Sequence, residues 1–89
     1  GTWERVEYES SVVVWPGEEP DVHFIRGNFK FDDTWFKVYD ARGRLVGSSF
    51  SKITDYVFKF FTDHLAGGIY FVTYHTNGEK GAKKFEVVK

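Results

Sequence analysis

The chain has no cysteine, no methionine and only two prolines in 89 residues, and it holds no apolar run near the roughly 18 residues of a membrane-spanning helix. Without cysteine, neither disulfides nor thiolate zinc sites can hold the fold, so packing must. Without methionine there is no initiator residue. The chain is therefore expected to be a piece of a longer protein, with any export signal upstream. A net charge of −1 gives no global attraction to nucleic acid, and none is expected as a partner.

Catalytic patterns are missing too. His23, His64 and His75 have no helical metal-ligand spacing. Asp32, Asp33 and Asp55 fit turn chemistry better than a calcium loop. Ser48, Ser49 and Ser51 lack the Gly-x-Ser-x-Gly elbow of a hydrolase, and Gly67-Gly68 opens a strand rather than a phosphate-binding helix. The reading is a non-enzyme with no metal and no cofactor.

What the chain does have is aromatic side chains: 10 Phe, 5 Tyr and 3 Trp. Each buries about 150–250 Å² when enclosed, which suits a core between sheets in a domain this small. The charge is also unevenly placed. Glu4, Glu7, Glu9, Glu18, Glu19 and Asp21 crowd one end of the chain, and Lys80, Lys83, Lys84 and Lys89 the other.

Alternation of apolar and polar residues predicts strands along most of the length. Residues 1–11 read as an edge strand or a linker from an upstream domain, and residues 12–89 as one domain. Val12-Val13-Val14-Trp15 reads as a short buried strand, and Pro16, Gly17 and Pro20 as a turn or a sheet-switching loop. Val22 to Phe31 is the longest candidate. Its apolar parity changes between Phe24 and Phe29, so a bulge or a bend at Gly27 is expected.

Trp35 to Val46 reads as a hairpin with Phe36 and Val38 facing the core, Asp40-Ala41-Arg42-Gly43 turning, and Trp35 on the opposite parity. Gly47 to Lys52 reads as a strand end passing into a loop. Asp55 to Thr62 reads as a strand, by its alternation of Tyr56, Phe58 and Phe60, and Thr62 to Ala66 as a single turn. Ile69 to Thr76, apolar on both parities, belongs inside a sheet. Asn77-Gly78 turns it into a return strand with Phe85 and Val87 facing inward. About seven strands of this spacing predict an all-β, antiparallel, immunoglobulin-like sandwich.

Three segments in order resemble the C-terminal sorting domain (type A-like) of cargo proteins of the type IX secretion system in Bacteroidetes-type bacteria. They are Phe36-Lys37-Val38-Tyr39-Asp40-Ala41-Arg42-Gly43-Arg44-Leu45-Val46, Leu65-Ala66-Gly67-Gly68-Ile69-Tyr70-Phe71-Val72 and Lys83-Lys84-Phe85-Glu86-Val87-Val88-Lys89. Where the family often has Pro-Asn-Pro, this chain has Trp15-Pro16-Gly17-Glu18-Glu19-Pro20.

The resemblance implies a non-catalytic address for an upstream cargo protein, present in the periplasm in transit and then at the outer membrane, cell surface or outside the cell. Its implied partners are an outer-membrane translocon, a shuttle protein and a sortase-like peptidase. It further implies a recognition segment of Gly68, Tyr70, Val72, Lys83, Lys84, Val87 and Val88, with lysines on one face of the last strand and valines on the other. Dimerisation through edge strands stays open. The alternative is an accessory carbohydrate-binding or structural module of a secreted enzyme, with Trp3, Trp15 and Trp35 as a glycan platform.

Overall fold

A computed structural model describes residues 12–31, 35–76 and 79–89. Eight strands follow one another: β1 Val13–Pro16, β2 Val22–Arg26, β3 Lys37–Asp40, β4 Leu45–Val46, β5 Phe50–Thr54, β6 Val57–Phe61, β7 Gly68–Thr76 and β8 Glu79–Val87. They form four antiparallel hairpins, β1–β2, β3–β4, β5–β6 and β7–β8. The first and third hairpins join through β2 and β6 into a sheet of order β1-β2-β6-β5, sheet A. The second and fourth join through β3 and β7 into a sheet of order β4-β3-β7-β8, sheet B. No helix occurs among the described residues.

The two sheets enclose one core. Ile25, Phe58 and Phe60 come from sheet A, and Val38, Val72, Phe85 and Val87 from sheet B, all on the inward parity of their strands. Phe36 and Phe50 stack at 4.6 Å between centroids, and Phe50 stacks on Phe60 at 4.8 Å, tying the two layers together with rings. Leu65 plugs one end of the sandwich from the 62–66 turn, where its amide donates to the Thr62 carbonyl at 3.0 Å.

Several expectations change here. The strands number eight, because 50–54 is a strand and not a loop. It is an edge strand whose only half-buried side chain is Phe50, with Ser51, Lys52, Ile53 and Thr54 exposed, so it carries little apolar signal. β1 is likewise an edge strand and not a buried one. Val12, just before it, is enclosed, whereas Val13 is 40% exposed. Pro16 ends β1 on an edge, where a missing amide is tolerated. Its loop returns within the same sheet, closed by Gly17 N–H to the Val22 carbonyl at 2.8 Å.

At Gly27 the second of the two expected repairs occurs: the chain leaves the sheet and bends at Asn28 and Phe29, without a bulge. β2 stops at Arg26, and the chain runs on beside the turn between β5 and β6, with the Gly27 amide donating to the Tyr56 carbonyl and the Phe31 amide to the Asp55 carbonyl. The inward residue of β2 is Ile25, whose parity Phe29 and Phe31 share, while Phe24 faces outward; both rings fold onto the core edge against Tyr74. Tyr56, the first of the three alternating aromatics, lies in that turn, 44% exposed, while Phe58 and Phe60 of β6 point in.

The 35–46 hairpin forms as expected, and its loop residues are explained by one carboxylate. Asp40 Oδ1 accepts from the Arg42 and Arg44 amides, each at 2.9 Å, and Oδ2 accepts from Arg44 Nε at 3.0 Å. The Arg44 amide foremost, helped by Arg42 and the guanidinium, holds the Asp40 carboxyl below its ordinary range. Gly43, at φ +82°, supplies the left-handed residue of the turn.

Candidate functional site

The expected recognition segment falls on the β7–β8 hairpin, whose register pairs Gly68 with Val87, Tyr70 with Phe85, Phe71 with Lys84 and Val72 with Lys83. β7 is interior to its sheet, as its two apolar parities suggest, and β8 is an edge. The Asn77-Gly78 turn lies outside the described residues.

Along this hairpin the seven residues divide by depth. Tyr70, Val72 and Val87 are buried in the core, and the Tyr70 hydroxyl donates to the Ala66 carbonyl at 2.8 Å. Lys84 is exposed and Val88 is 82% exposed. The lysines do not share a face. Lys83 has the inward parity of Phe85 and Val87 and lies half-buried at the sandwich edge, whereas Lys84 points outward with Glu86. Strict alternation requires this, because adjacent residues of a strand face opposite ways.

Two features of β8 have no signature in the sequence. Lys89 Nζ donates to the Thr62 carbonyl at 3.2 Å and the Asp63 carbonyl at 2.9 Å, and it pairs with Asp21 Oδ1 at 3.3 Å. It thereby fastens the end of β8 to sheet A. Farther along, Gly81 lies opposite Tyr74 and beneath its ring, where an added Cβ would come within 2.3 Å of the ring tip. Gly81→Ala should push Tyr74 off Phe29 and Phe31 and lower stability by about 1 kcal/mol, since only the tip of the ring has to move. Urea denaturation of the two chains checks this.

The tryptophans are not brought together. Trp15 lies on the outer face of sheet A, stacked on Phe24 at 5.4 Å with the Arg26 guanidinium 5.8 Å from its ring. A groove of about 610 Å³ opens beside it, lined by Gly17, Glu18, Glu19, Phe24 and Lys59. Trp35 lies on the outer face of sheet B, against His75 at 5.1 Å, with the Lys37 and Lys80 ammoniums 5.6 and 5.5 Å from its ring. Trp3 lies outside the described residues.

Four of the polar side chains weighed for chemistry, His23, His64, Asp55 and Ser48, have structural partners. His23 is buried, with Nε2 bonded to the Glu86 carbonyl at 3.2 Å. His64 Nε2 bonds to the Gly47 carbonyl. Asp55 pairs with Lys52 and Lys30, and Ser48 Oγ donates to the Phe61 carbonyl. Asp32 and Asp33 lie outside the described residues. Among the described residues no cluster of three His, Asp or Glu side chains is placed to hold a metal ion.

No curated protein and no solved structure matches the chain. A family model described as a secretion system C-terminal sorting domain matches residues 14–88, from the middle of β1 to just past β8. That match spans strands of both sheets and the three resembling segments up to Val88, all but the final Lys89. The chain belongs to the family of type IX secretion-system C-terminal sorting domains.

Proposed function

We propose that this domain is a non-catalytic address that directs an upstream cargo protein through the type IX translocon to the cell surface, passing through the periplasm. The family match over 14–88 carries the reading. The partners follow from it: the outer-membrane translocon, a shuttle protein and a sortase-like peptidase. The pairing of four hairpins into two antiparallel sheets supports an immunoglobulin-like sandwich as the folded form of the signal.

Within the proposed recognition segment the buried residues act by shape. Tyr70, Val72 and Val87 fix the position of β8, and Gly68 opens the strand that carries it. Lys84, Val88 and the unpaired backbone edge of β8 are what a receptor can touch. That edge also suits pairing with a second copy. Fused to a secreted reporter in a type IX-competent bacterium, residues 1–89 should place the reporter on the cell surface. An intact, folded fusion retained in the periplasm defeats the reading.

A second reading, glycan binding, rests on the Trp15 groove, where the Glu18 and Glu19 carboxylates and the Lys59 ammonium offer acceptors and a donor to hydroxyls. It ranks second because Phe24 and Arg26 already lie against the Trp15 ring. Unchanged tryptophan fluorescence across a millimolar polysaccharide panel removes it.

A further inference from the structure

The outer face of sheet B is unlike that of an ordinary solvated sheet. Leu45, Tyr39, Phe71 and Lys84 are direct partners across β4, β3, β7 and β8, forming one row that spans the sheet over about 14 Å. Leu45 is 61% exposed and Phe71 36%, and Ile69, next on β7, is 38% exposed. Apolar side chains lined up in register and left open mark an interaction surface more often than scattered ones do.

The charge around this row is predominantly positive. Lys37 and Lys80 flank Trp35 at one end, and Lys84 closes the row on β8. Glu86 is the acid on the same face of β8, opposite Ile69, and Arg44 beside the row is matched by Asp40. The chain as a whole carries −1, so this face concentrates positive charge that the rest of the molecule outweighs.

The geometry points to the outer face of sheet B as the docking surface for a protein of the export machinery that presents an apolar centre with an acidic rim. This rests on the sorting reading above and names the partner's chemistry. A polyanion would satisfy the lysines but leave Ile69, Phe71 and Leu45 in water. A second copy of the chain, meeting face to face about a two-fold axis, would set Lys37, Lys80 and Lys84 against their own kind. An acidic, apolar protein surface satisfies both the row and its rim.

The test compares reporter fusions of the full chain. One variant is Ile69→Thr with Phe71→Thr, which keeps residues suited to a strand. Another is Lys37→Glu with Lys80→Glu and Lys84→Glu. A control on the opposite face is Val13→Thr with Arg26→Glu. Unfolding midpoints of the purified chains confirm that all are folded.

Both face variants should lower surface reporter at least tenfold while the control exports normally. If the unsubstituted fusion stays in the periplasm, the sorting reading fails and this proposal falls with it. If that fusion is exported and the face variants are exported equally, or the control is equally impaired, only this proposal is overturned. Three further results overturn it. One is self-association in sedimentation that the face variants abolish. Another is binding to lipopolysaccharide vesicles that the lysine reversals abolish and the threonine changes do not. The last is face substitutions that destabilise the full chain but not a chain lacking residues 1–11, which would assign the face to that segment.

Discussion

Phe60→Ala should remove most of the domain's stability. Phe60 has 0% exposure and meets three partners at once: Phe50 stacked at 4.8 Å, Phe85 edge-on at 5.3 Å and the His23 ring at 5.7 Å. Phe85 belongs to sheet B, so the ring is a direct link between the layers. Removing a buried phenylalanine ring typically costs about 3–5 kcal/mol, because transfer free energy is lost and the cavity collapses only in part. A domain this size is stable by on the order of 5 kcal/mol in total. Far-ultraviolet circular dichroism and a urea titration should show a weak or absent transition for Phe60→Ala. Phe60→Leu keeps most of the volume and should retain a transition displaced by about 1–2 kcal/mol. A full-strength transition in the alanine variant would mean that the sheets do not meet through this ring.

How far the sequence discloses this molecule depends on which side of a sheet a residue faces. Strands β3, β6 and β8 are legible because Val38, Phe58, Phe60, Phe85 and Val87 alternate toward the core, although β6 is apolar at Val57 and Phe61 as well. The Asp40 turn is legible because its residues are bonded to one another. β5 is not, since an edge strand covered on one side needs a single inward ring, and Phe50 alone does not make a period. The change of apolar parity between Phe24 and Phe29 is legible, but not which parity faces the core: Phe24 faces outward against Trp15, and the inward Ile25 shares the parity of Phe29 and Phe31. A bulge keeps the chain in the sheet, whereas here the amides of Gly27 and Phe31 find carbonyls in the β5–β6 turn.

The candidate site shows the same limit. Apolar residues on both parities of β7 place it correctly inside a sheet, yet its second parity is half open to solvent and lies in register with Tyr39 and Leu45. Cross-strand register is a tertiary fact, so the row cannot be seen along one strand. The Lys89 clamp is hidden for the same reason. Its acceptors are backbone carbonyls 26 and 27 residues away, which have no side-chain signature.

His23 should make the joint between the sheets sensitive to mild acid. The residue sits on β2, its ring lies 5.1 Å from Phe85 and 5.7 Å from Phe60, and its Nε2 bonds to the Glu86 carbonyl on β8. A carbonyl only accepts, so Nε2 carries the proton and Nδ1 is the bare nitrogen, which is buried without a partner. Protonating Nδ1 would put an unanswered N–H and a full charge among rings. Burial accordingly pushes the His23 pKa below its ordinary 6.5, and the bond to the Glu86 carbonyl offsets this only in part.

The unfolded chain therefore takes up a proton before the folded one does. The contribution of His23 to stability is complete above pH 6.5 and declines as the pH falls below it. Asp40 and Asp55 also have lowered pKa values, the first chiefly through the Arg44 amide and the second through Lys52. Their contributions fade only below the ordinary carboxylate value of 3.8, so measurements near pH 5 isolate the histidine. The urea midpoint should fall between about pH 7.5 and pH 5. His23→Gln, which retains an N–H for the Glu86 carbonyl and does not titrate, should flatten that dependence. His23→Ala should lose about 2–3 kcal/mol at neutral pH, combining the bond with the space left between two phenylalanine rings. Equal pH dependence in the native and glutamine chains would show that the acid sensitivity lies elsewhere. The expected difference would place it at the contact where β2 of sheet A holds β8, the strand that carries Lys84 and leads to Val88.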